Sequence, residues 1–270
     1  MRDIQHVELV SANGDSRVVV STWGGRVISW KYRGRELLYQ SAIFEADETL
    51  SPHAGMPVLF PQFGLFGDGN MHGFVRNMNW RTEAATSDQC VLVLTPNEFE
   101  SNDPAVEFAA QVTAQLDDDR LRVWLQFDNA SESNVLTFTT GLHTYIAVDD
   151  IGGVQITGLQ GANFLEAADE LSPSVDLDVR LRFDLPVDRV YVGTPTPITM
   201  VAEAIKIVVD QTGFEDTVIW NPGSEHGPNC DSLERHEWRK FVCIEAAQIQ
   251  NPVTLKPGES WTGSQTLTVR

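Results

Sequence analysis

Apolar and polar residues alternate with a period of two along most of the chain, and short groups of turn residues separate the alternating stretches. Such alternation is typical of β-strands with one buried face. Two pairs of stretches flank tight polar connections and predict hairpins: RVISWKY and ELLYQSA around RGR, and FAAQVTAQL and LRVWLQFDN around DDDR. Further predicted strands are VVVSTW, CVLVLTP, NVLTFTTGLHTYIAV, DRVYVG, IKIVVDQ, DTVIWNP, FVCIEAAQI and WTGSQTLTV.

Long helical periodicity, Gly/Ser linkers, internal repeats and low-complexity segments are absent from the sequence. The 270 residues, 42% of them hydrophobic, can fill the core of one large domain or two small ones. Because the strands are many and no boundary signal divides them, we predict a single all-β domain over residues 1–270. Its expected architecture is a large antiparallel β-sandwich, with the acidic run Asp117 to Asp119 in a solvated turn.

The formal net charge of −19 argues against nucleic acid or an anionic membrane as a partner. An anionic ligand would have to be held by locally placed arginines. No segment reaches the roughly 20 apolar residues that span a bilayer, and the segment MRDIQHVELV lacks the apolar core of a signal peptide. The three cysteines show no close pairing, which fits a reducing compartment. These features predict a soluble cytoplasmic protein.

Two polar residues stand in predicted strands where a polar group is costly. In GLHTY, alternation places His143 on the same face as Tyr145. In FVCIE, it places Glu245 on the same face as Cys243. A buried unpaired glutamate costs several kcal/mol, so Glu245 either has partners, as in a structural ion pair, or faces a wet cleft. From the residues alone, His143 packs in the core, holds a metal or moves a proton.

The sequence also contains segments that extend this interpretation. In chain order they are GMPVLFPQFGLFGDGNMHGFVRNMNW, GLHTYIAVDDI, LPVDRVY, TVIWNP leading through Asp231 to FVCIEAAQI, and PVTLKPGESWTGSQTLTV. Together they resemble the aldose 1-epimerase (mutarotase) superfamily, and within it the hexose-6-phosphate mutarotase branch, from about Gly34 to the C-terminus. Several separated matches in one order are more specific than any short motif. The resemblance implies the galactose mutarotase-like β-supersandwich, which agrees with the strand pattern.

By this resemblance the family's general acid falls on His143 and its general base on Glu245. Interconverting α and β anomers requires removal of the C1 hydroxyl proton and protonation of the ring oxygen, so that the hemiacetal opens, rotates about C1–C2 and recloses. A carboxylate can take the first proton, and an imidazolium with a pKa near 6.5 can supply the second. Both protons are returned on closure, so the resemblance implies neither a cofactor nor a catalytic metal.

Three further residues acquire roles from the resemblance. Asp188 matches the aspartate that holds sugar hydroxyls, although by itself it would be a turn residue before a strand. His72 is expected to contact the sugar, and Arg76 to grip a phosphate through its planar fork of donors. Without the resemblance, both would be ordinary loop residues. The implied partner is a small sugar or sugar phosphate, most directly glucose 6-phosphate, and the implied assembly is a monomer or weak dimer.

The chain departs from the branch at two places. Where the branch has a second phosphate-binding arginine before its Gly-x-Pro stretch, this chain has His53 or Ala54. A partly protonated His53 could supply one charge-assisted bond but lacks a permanent charge, so a non-phosphorylated aldose remains an alternative substrate. The second departure is CIEAAQ, where the family has Pro-Gly after the glutamate. It is expected to change the turn and not the base.

Other classes of function fit the residues less well than a mutarotase does. His72, His143 and Glu245 (or Asp188) match the residue types of a non-haem iron triad, but no short His-x-His spacing supports one. A sugar-binding protein without catalysis would use aromatic side chains such as Trp220, yet the presence of both His143 and Glu245 argues against an inactive site. In a hydrolase with Cys243 as nucleophile, the nearby Glu245 would raise the pKa of the thiol and suppress the thiolate.

Overall fold

The structure, a computed structural model, describes residues 3–95, 107–167, 171–183, 185–193, 197–203 and 205–270. Its strands are β1 (His6–Val10), β2 (Ser16–Ser21), β3 (Arg26–Tyr32), β4 (Arg35–Glu36), β5 (Val58–Leu59), β6 (Arg81–Ala85), β7 (Gln89–Leu94), β8 (Phe108–Leu116), β9 (Arg120–Asn129), β10 (Leu136–Leu142), β11 (Tyr145–Ala147), β12 (Val154–Thr157), β13 (Asn163–Glu166), β14 (Ser172–Val175), β15 (Val187–Tyr191), β16 (Ile198–Ala202), β17 (Ile205–Thr212), β18 (Asp216–Asn221), β19 (Phe241–Leu255) and β20 (Ser260–Val269).

The helices are short. They are α1 (Ala42–Ala46), α2 (Gly223–His226) and 3-10 turns at Val75–Asn77, Ile151–Gly153, Gly227–Asn229 and Glu237–Lys240. Within the described ranges, none of the helices has the length and apolar composition that crossing a membrane requires.

The strands form antiparallel sheets, as the alternating pattern predicts. A four-stranded sheet has the order β1-β2-β3-β4. A central sheet has the order β14-β13-β15-β18-β19-β10-β5, with β11 also paired to β19. A third sheet has the order β12-β16-β17-β20-β9-β8-β7-β6. The predicted large antiparallel β-sandwich is therefore confirmed, and the central sheet, which carries His143 and Glu245 side by side, positions the site.

Most predicted strands are present, but their bounds differ in places. The hairpin around DDDR is confirmed, since β8 and β9 pair throughout and turn at Asp117 to Asp119. A strand over the whole of ELLYQSA is wrong, because β4 ends at Glu36 and Ser41 instead caps α1, where its Oγ accepts a hydrogen bond from the Phe44 amide. Pro96, at the end of CVLVLTP, lies outside the described residues. The sequence pattern missed β1, β5, β6, β12, β13, β14 and β16.

The two faces of the central sheet have different surroundings. Leu142, Val242 and Ile244 belong to the large core between the sheets. Tyr145 and Cys243 pack in a separate cluster on the opposite face. This is the alternation predicted for GLHTY and FVCIE. It places the face that carries His143 and Glu245 away from the main core.

Candidate active site

His143 and Glu245 are brought together by the register of the central sheet. His143 lies in the gap between β10 and β11, which both pair with β19. The pairs on either side of the gap are Leu142 with Ala246 and Tyr145 with Cys243. The register is therefore the same across the gap and sets His143 opposite Glu245, where side chains share a face. His143 Nδ1 lies 3.5 Å from Glu245 Oε2.

This pair is almost completely removed from water, with 8% of His143 and 1% of Glu245 exposed. Burial, together with His72, His53 and Arg76, lowers the pKa of His143 well below its usual 6.5. Burial and the charge of Asp188 raise the pKa of Glu245 well above 4.5. Both shifts favour the neutral forms. A proton that passes from Glu245 to His143 converts the neutral pair into a carboxylate–imidazolium pair of the same net charge, and the attraction between these two charges at 3.5 Å offsets part of their desolvation cost.

A chain of hydrogen bonds orients the His143 ring. It starts at the Asp231 carbonyl, which can only accept, so His53 donates from Nε2 over 3.0 Å. His53 Nδ1 must then accept from the Tyr145 hydroxyl, 3.0 Å away. The Tyr145 oxygen in turn accepts from His143 Nε2 at 3.4 Å. This leaves the Nδ1 lone pair of His143 facing Glu245.

His53 therefore has a different environment from the one expected of a phosphate ligand. Both of its ring nitrogens are engaged within the protein, and its ring stacks on Trp220 with centroids 6.3 Å apart. Burial lowers the pKa of His53 to about 4. The positive charge expected from partial protonation is disfavoured at neutral pH, and the side chain instead orients Tyr145.

His72 approaches the pair from a loop of strained backbone. His72 and Gly73 both have positive φ angles, 64° and 66°. A Cβ at Gly73 would overlap the Phe60 carbonyl, so only glycine fits there. His72 Nδ1 accepts from the Gly64 amide at 3.1 Å, and burial lowers the pKa of the ring to about 3. The ring is thus neutral with its proton on Nε2, and its centroid lies 5.3 Å from that of His143.

Arg76 is a half-buried cation with free hydrogen-bonding capacity. It lies in the 3-10 turn Val75–Asn77, and its Nη2 donates to the Met71 carbonyl at 3.2 Å. Its Nε has no partner, and no carboxylate forms an ion pair with it, within the part of the chain that the structure describes. Burial lowers the pKa of Arg76, and its charge lowers the pKa of all three site histidines. An anionic ligand would relieve this uncompensated charge.

Asp188 lines a groove beside the pair. The groove encloses about 370 Å³, which is within the range of small-molecule sites. Its walls include Pro186, Asp188, Trp220, His226, Asn229 and Cys230. Asp188 is the second residue of β15 and pairs with Trp220 across the ladder, so it is a strand residue and not a turn residue. The rings of Trp220 and His143 also meet in a T-shaped contact, with centroids 5.7 Å apart, which connects groove and pair.

A second hollow, of about 320 Å³, lies on the outer face of the third sheet. Glutamine and threonine side chains line it together with Trp124. Its lining contains no acid–base pair, so the groove beside Asp188 is the better candidate for chemistry.

We expect Asp188→Asn to stabilise the fold at neutral pH. Burial and Glu166 raise the pKa of Asp188 from 3.8 to about 6, so the folded state disfavours the carboxylate. The wild type therefore loses stability as pH rises from about 4 through 6, and asparagine does not. The shift corresponds to about 3 kcal/mol, which screening at this partly exposed site reduces to about 1–2 kcal/mol. Urea unfolding at pH 7 and pH 4 measures the gain, which should disappear at the lower pH.

The control for this comparison is Asp117→Asn, an exposed carboxylate in the β8–β9 turn. A gain in the free energy of unfolding that is equal at pH 4 and pH 7, or that also occurs in the control, would mean that the buried charge of Asp188 is not its cause. Loss of the charged acceptor should also slow turnover if Asp188 holds sugar hydroxyls.

Sequence reasoning missed residues that shape the site. Tyr145 was placed on the face of His143, but its role in the hydrogen-bond chain was not predicted. The sequence pattern also gave no sign of Arg26. It is 2% exposed, packs over the Phe44 ring, and has a pKa lowered by burial to about 10. The charge of Arg76 also lowers this pKa, which places a second buried cation in the neighbourhood of the first.

The possible metal ligands differ from the non-haem iron triad that the sequence did not support. Among the described residues, the cluster within ligand range consists of His143, Cys243 and Glu245, with Cys243 in place of His72. Burial and Glu245 raise the pKa of Cys243 well above 9.0, as predicted, which disfavours a nucleophilic thiolate.

Comparison with known proteins supports one chemistry for this arrangement. A family model described as "Aldose 1-epimerase" matches residues 7–268. A protein of Cenchrus ciliaris named "Putative glucose-6-phosphate 1-epimerase" is 30% identical over 89% of this chain and 78% of its own length. A protein of the same name from Escherichia coli K12 is 28% identical over 83% of this chain and 77% of its own length.

A solved structure shows the same fold. The crystal structure described as a "putative mutarotase" from Salmonella typhimurium superposes with a TM-score of 0.84 and 21% identity. The match covers 100% of this chain and 91% of the other. The galactose mutarotase-like β-supersandwich implied by the sequence is therefore confirmed.

Proposed function

Because the chain belongs to the aldose 1-epimerase family and is an isomerase of the mutarotase type, we propose that its substrate is a hexose 6-phosphate, with glucose 6-phosphate the first to test. The observation that carries the acid–base chemistry is the buried pair of His143 and Glu245, 3.5 Å apart. The phosphorylated substrate is supported by Arg76, a cation without a carboxylate partner among the described residues, and by the names of the relatives.

In this proposal the pair performs both proton transfers of ring opening. Glu245 as carboxylate removes the proton from the C1 hydroxyl, and His143 as imidazolium protonates the ring oxygen. The C1–ring oxygen bond breaks, and the open-chain aldehyde forms. After rotation about C1–C2, the ring oxygen attacks the other face of the carbonyl and the protons return. The imidazolium form has the same total charge and proton count as the neutral pair, so sugar binding needs only to shift one proton.

The surrounding residues hold the sugar. Asp188 accepts hydrogen bonds from hydroxyl groups, and His72 can donate one from Nε2, since its Nδ1 is already occupied. Trp220 lines the groove and offers an apolar surface to the sugar ring. Tyr145 and His53 keep His143 in one tautomer, so that the Nδ1 position facing Glu245 remains available.

Two-dimensional exchange NMR at anomeric equilibrium tests the proposal. Exchange cross-peaks are compared for glucose 6-phosphate and glucose at matched concentrations, with buffer alone as the baseline because mutarotation also proceeds unaided. Enhanced exchange with the phosphorylated sugar supports the proposed substrate. Exchange with glucose alone would assign the chain to non-phosphorylated aldoses, and no exchange with either would favour a binding role on the same fold.

In the same assay, Arg76→Ala should lower kcat/KM for glucose 6-phosphate by about 10- to 100-fold, the range of a lost charge-assisted contact of about 1.5–3 kcal/mol. The rate with glucose, which has no phosphate, should change far less. Arg17→Ala, at an exposed arginine paired with Glu8, is the control. Arg76→Lys retains a charge without the planar fork and should fall between wild type and Arg76→Ala. Equal losses on both sugars would mean that Arg76 does not bind phosphate.

A further inference from the structure

We infer that His143, Cys243 and Glu245 together form a binding site for a thiophilic divalent cation such as Zn²⁺, and that an ion bound there stops the isomerase. The inhibitory part of this inference rests on the proposed function. The binding part rests only on the geometry of the three side chains.

The donor atoms have the types that zinc requires and lie near the spacing it requires. Zn²⁺ binds histidine nitrogen, cysteine sulfur and carboxylate oxygen, with bonds of about 2.0–2.3 Å in a tetrahedron. Two ligands at such distances lie about 3.4 Å apart. His143 Nδ1 and Glu245 Oε2 are 3.5 Å apart, and one donor atom of each of the three residues lies within 4.8 Å of the others. Small side-chain rotations can bring the sulfur to bonding distance.

Two of these donors lack another partner. His143 Nδ1 and Glu245 Oε2 are buried, and neither has a hydrogen bond to any described residue, since their 3.5 Å contact lacks hydrogen-bond geometry. Buried polar atoms without partners carry a large desolvation penalty. A bound cation would satisfy both atoms at once and would neutralise the carboxylate.

The surroundings also orient the imidazole as a metal ligand. A histidine that binds a metal through one nitrogen usually donates its other N–H to a neighbouring acceptor. His143 donates from Nε2 to Tyr145, whose hydroxyl is held by His53. The Nδ1 lone pair is thereby directed at Glu245 and Cys243. Three protein ligands leave a fourth position open for water.

Occupancy by a metal and proton transfer exclude each other. The ion takes the lone pair of His143 and the carboxylate oxygen that would accept the C1 proton. A bound Zn²⁺ therefore blocks both partners of the reaction and competes with the sugar for the same atoms. Cys243 has no part in the proposed proton transfers, so its substitution can separate metal binding from chemistry.

Equilibrium dialysis of the metal-free protein against buffered Zn²⁺ measures binding without reference to activity. We expect one ion per chain in the wild type. Cys243→Ala and Cys243→Ser should each weaken binding at least about 100-fold, since even loss of a residue that only orients a ligand costs 10- to 100-fold. Cys90→Ala, in the third sheet, should bind as wild type does. With Co²⁺ as a spectroscopic probe, the wild type should show a thiolate charge-transfer band that Cys243→Ala lacks.

Cys230 provides the alternative location to exclude, because its Sγ lies 3.8 Å from His53 Nε2. Zn²⁺ binding that is weakened by Cys230→Ala and not by Cys243→Ala would overturn the inference. Absence of stoichiometric binding would overturn it as well. In the exchange assay, Zn²⁺ should inhibit the wild type competitively with sugar. It should inhibit Cys243→Ala only at about 100-fold higher metal concentration. If the protein shows no exchange activity, the proposed function fails while dialysis and the Co²⁺ spectrum still decide the metal site.

Discussion

Glu245→Gln is expected to lower enzymatic anomer exchange by about 100- to 10,000-fold, the contribution usual for a general base. Glutamine keeps the size and shape of the side chain but cannot take the C1 proton. Sugar binding should persist, because the groove, Asp188 and Arg76 are untouched. Exchange NMR measures the loss, and titration of the sugar against the intrinsic fluorescence of the groove tryptophan measures binding.

Stability distinguishes loss of the base from loss of the fold. The buried Glu245 has a raised pKa, so the wild type loses stability as pH rises above 4.5, whereas glutamine carries no charge to desolvate. The free energy of unfolding of the variant at pH 7 should equal or exceed that of the wild type. Glu132→Gln, an exposed glutamate in a turn, is the matched control and should exchange normally. Near-normal exchange in well-folded Glu245→Gln would refute Glu245 as the base.

That His143 and Glu245 each lie on the face opposite their strongly apolar neighbours follows from sequence patterns that are local and strong. Strand alternation separates each residue from its apolar neighbours without reference to the fold. What alternation cannot supply is the partner strand. Nearly 100 residues separate β10 from β19, and their register is fixed only when the whole sheet assembles. The family resemblance assigned the two residues to one acid–base pair without that register.

Other features depend on contacts that no local pattern encodes. The orientation of His53 is set by a backbone carbonyl at Asp231 and by Tyr145, both distant in sequence. An isolated histidine near pH 7 suggests a partial charge, but burial among other site groups lowers its pKa and removes that charge. Arg26 is similar: it follows two glycines at the start of an ordinary strand, and only packing shows that its guanidinium is buried.

The strand β4 shows a conflict between propensity and context. ELLYQSA alternates like a strand, yet only Arg35 and Glu36 pair with β3 as a continuous ladder. Beyond Glu36 the backbone instead pairs at single positions with two different segments, at Leu38 with Ile146 and at Gln40 with Ala54. These bridges anchor the chain beside β11 and the loop that carries His53. The alternating pattern of ELLYQSA therefore belongs to a connecting segment next to the site and not to one continuous strand.

The complementary substitution, His143→Ala, removes the proposed acid and should lower exchange by about 100- to 10,000-fold as well. It also removes the hydrogen bond to Tyr145 and leaves Glu245 without its buried neighbour, so stability should fall, in contrast to Glu245→Gln. His236→Ala, at an exposed histidine, is the control for loss of an imidazole elsewhere. His143→Gln fills the space without a titratable group and should be as inactive as alanine but better folded.

Added imidazole separates an acid catalyst from a packing residue. The alanine substitution leaves a cavity of imidazole size next to Glu245, and a free imidazole that enters it can supply the missing proton. Exchange by His143→Ala should therefore rise with imidazole concentration and saturate. His143→Gln, whose side chain occupies the cavity, should not respond, and neither should Glu245→Gln, which lacks the base. If imidazole restores folding stability without restoring exchange, His143 serves packing, and the proton for the ring oxygen must come from another group such as His72.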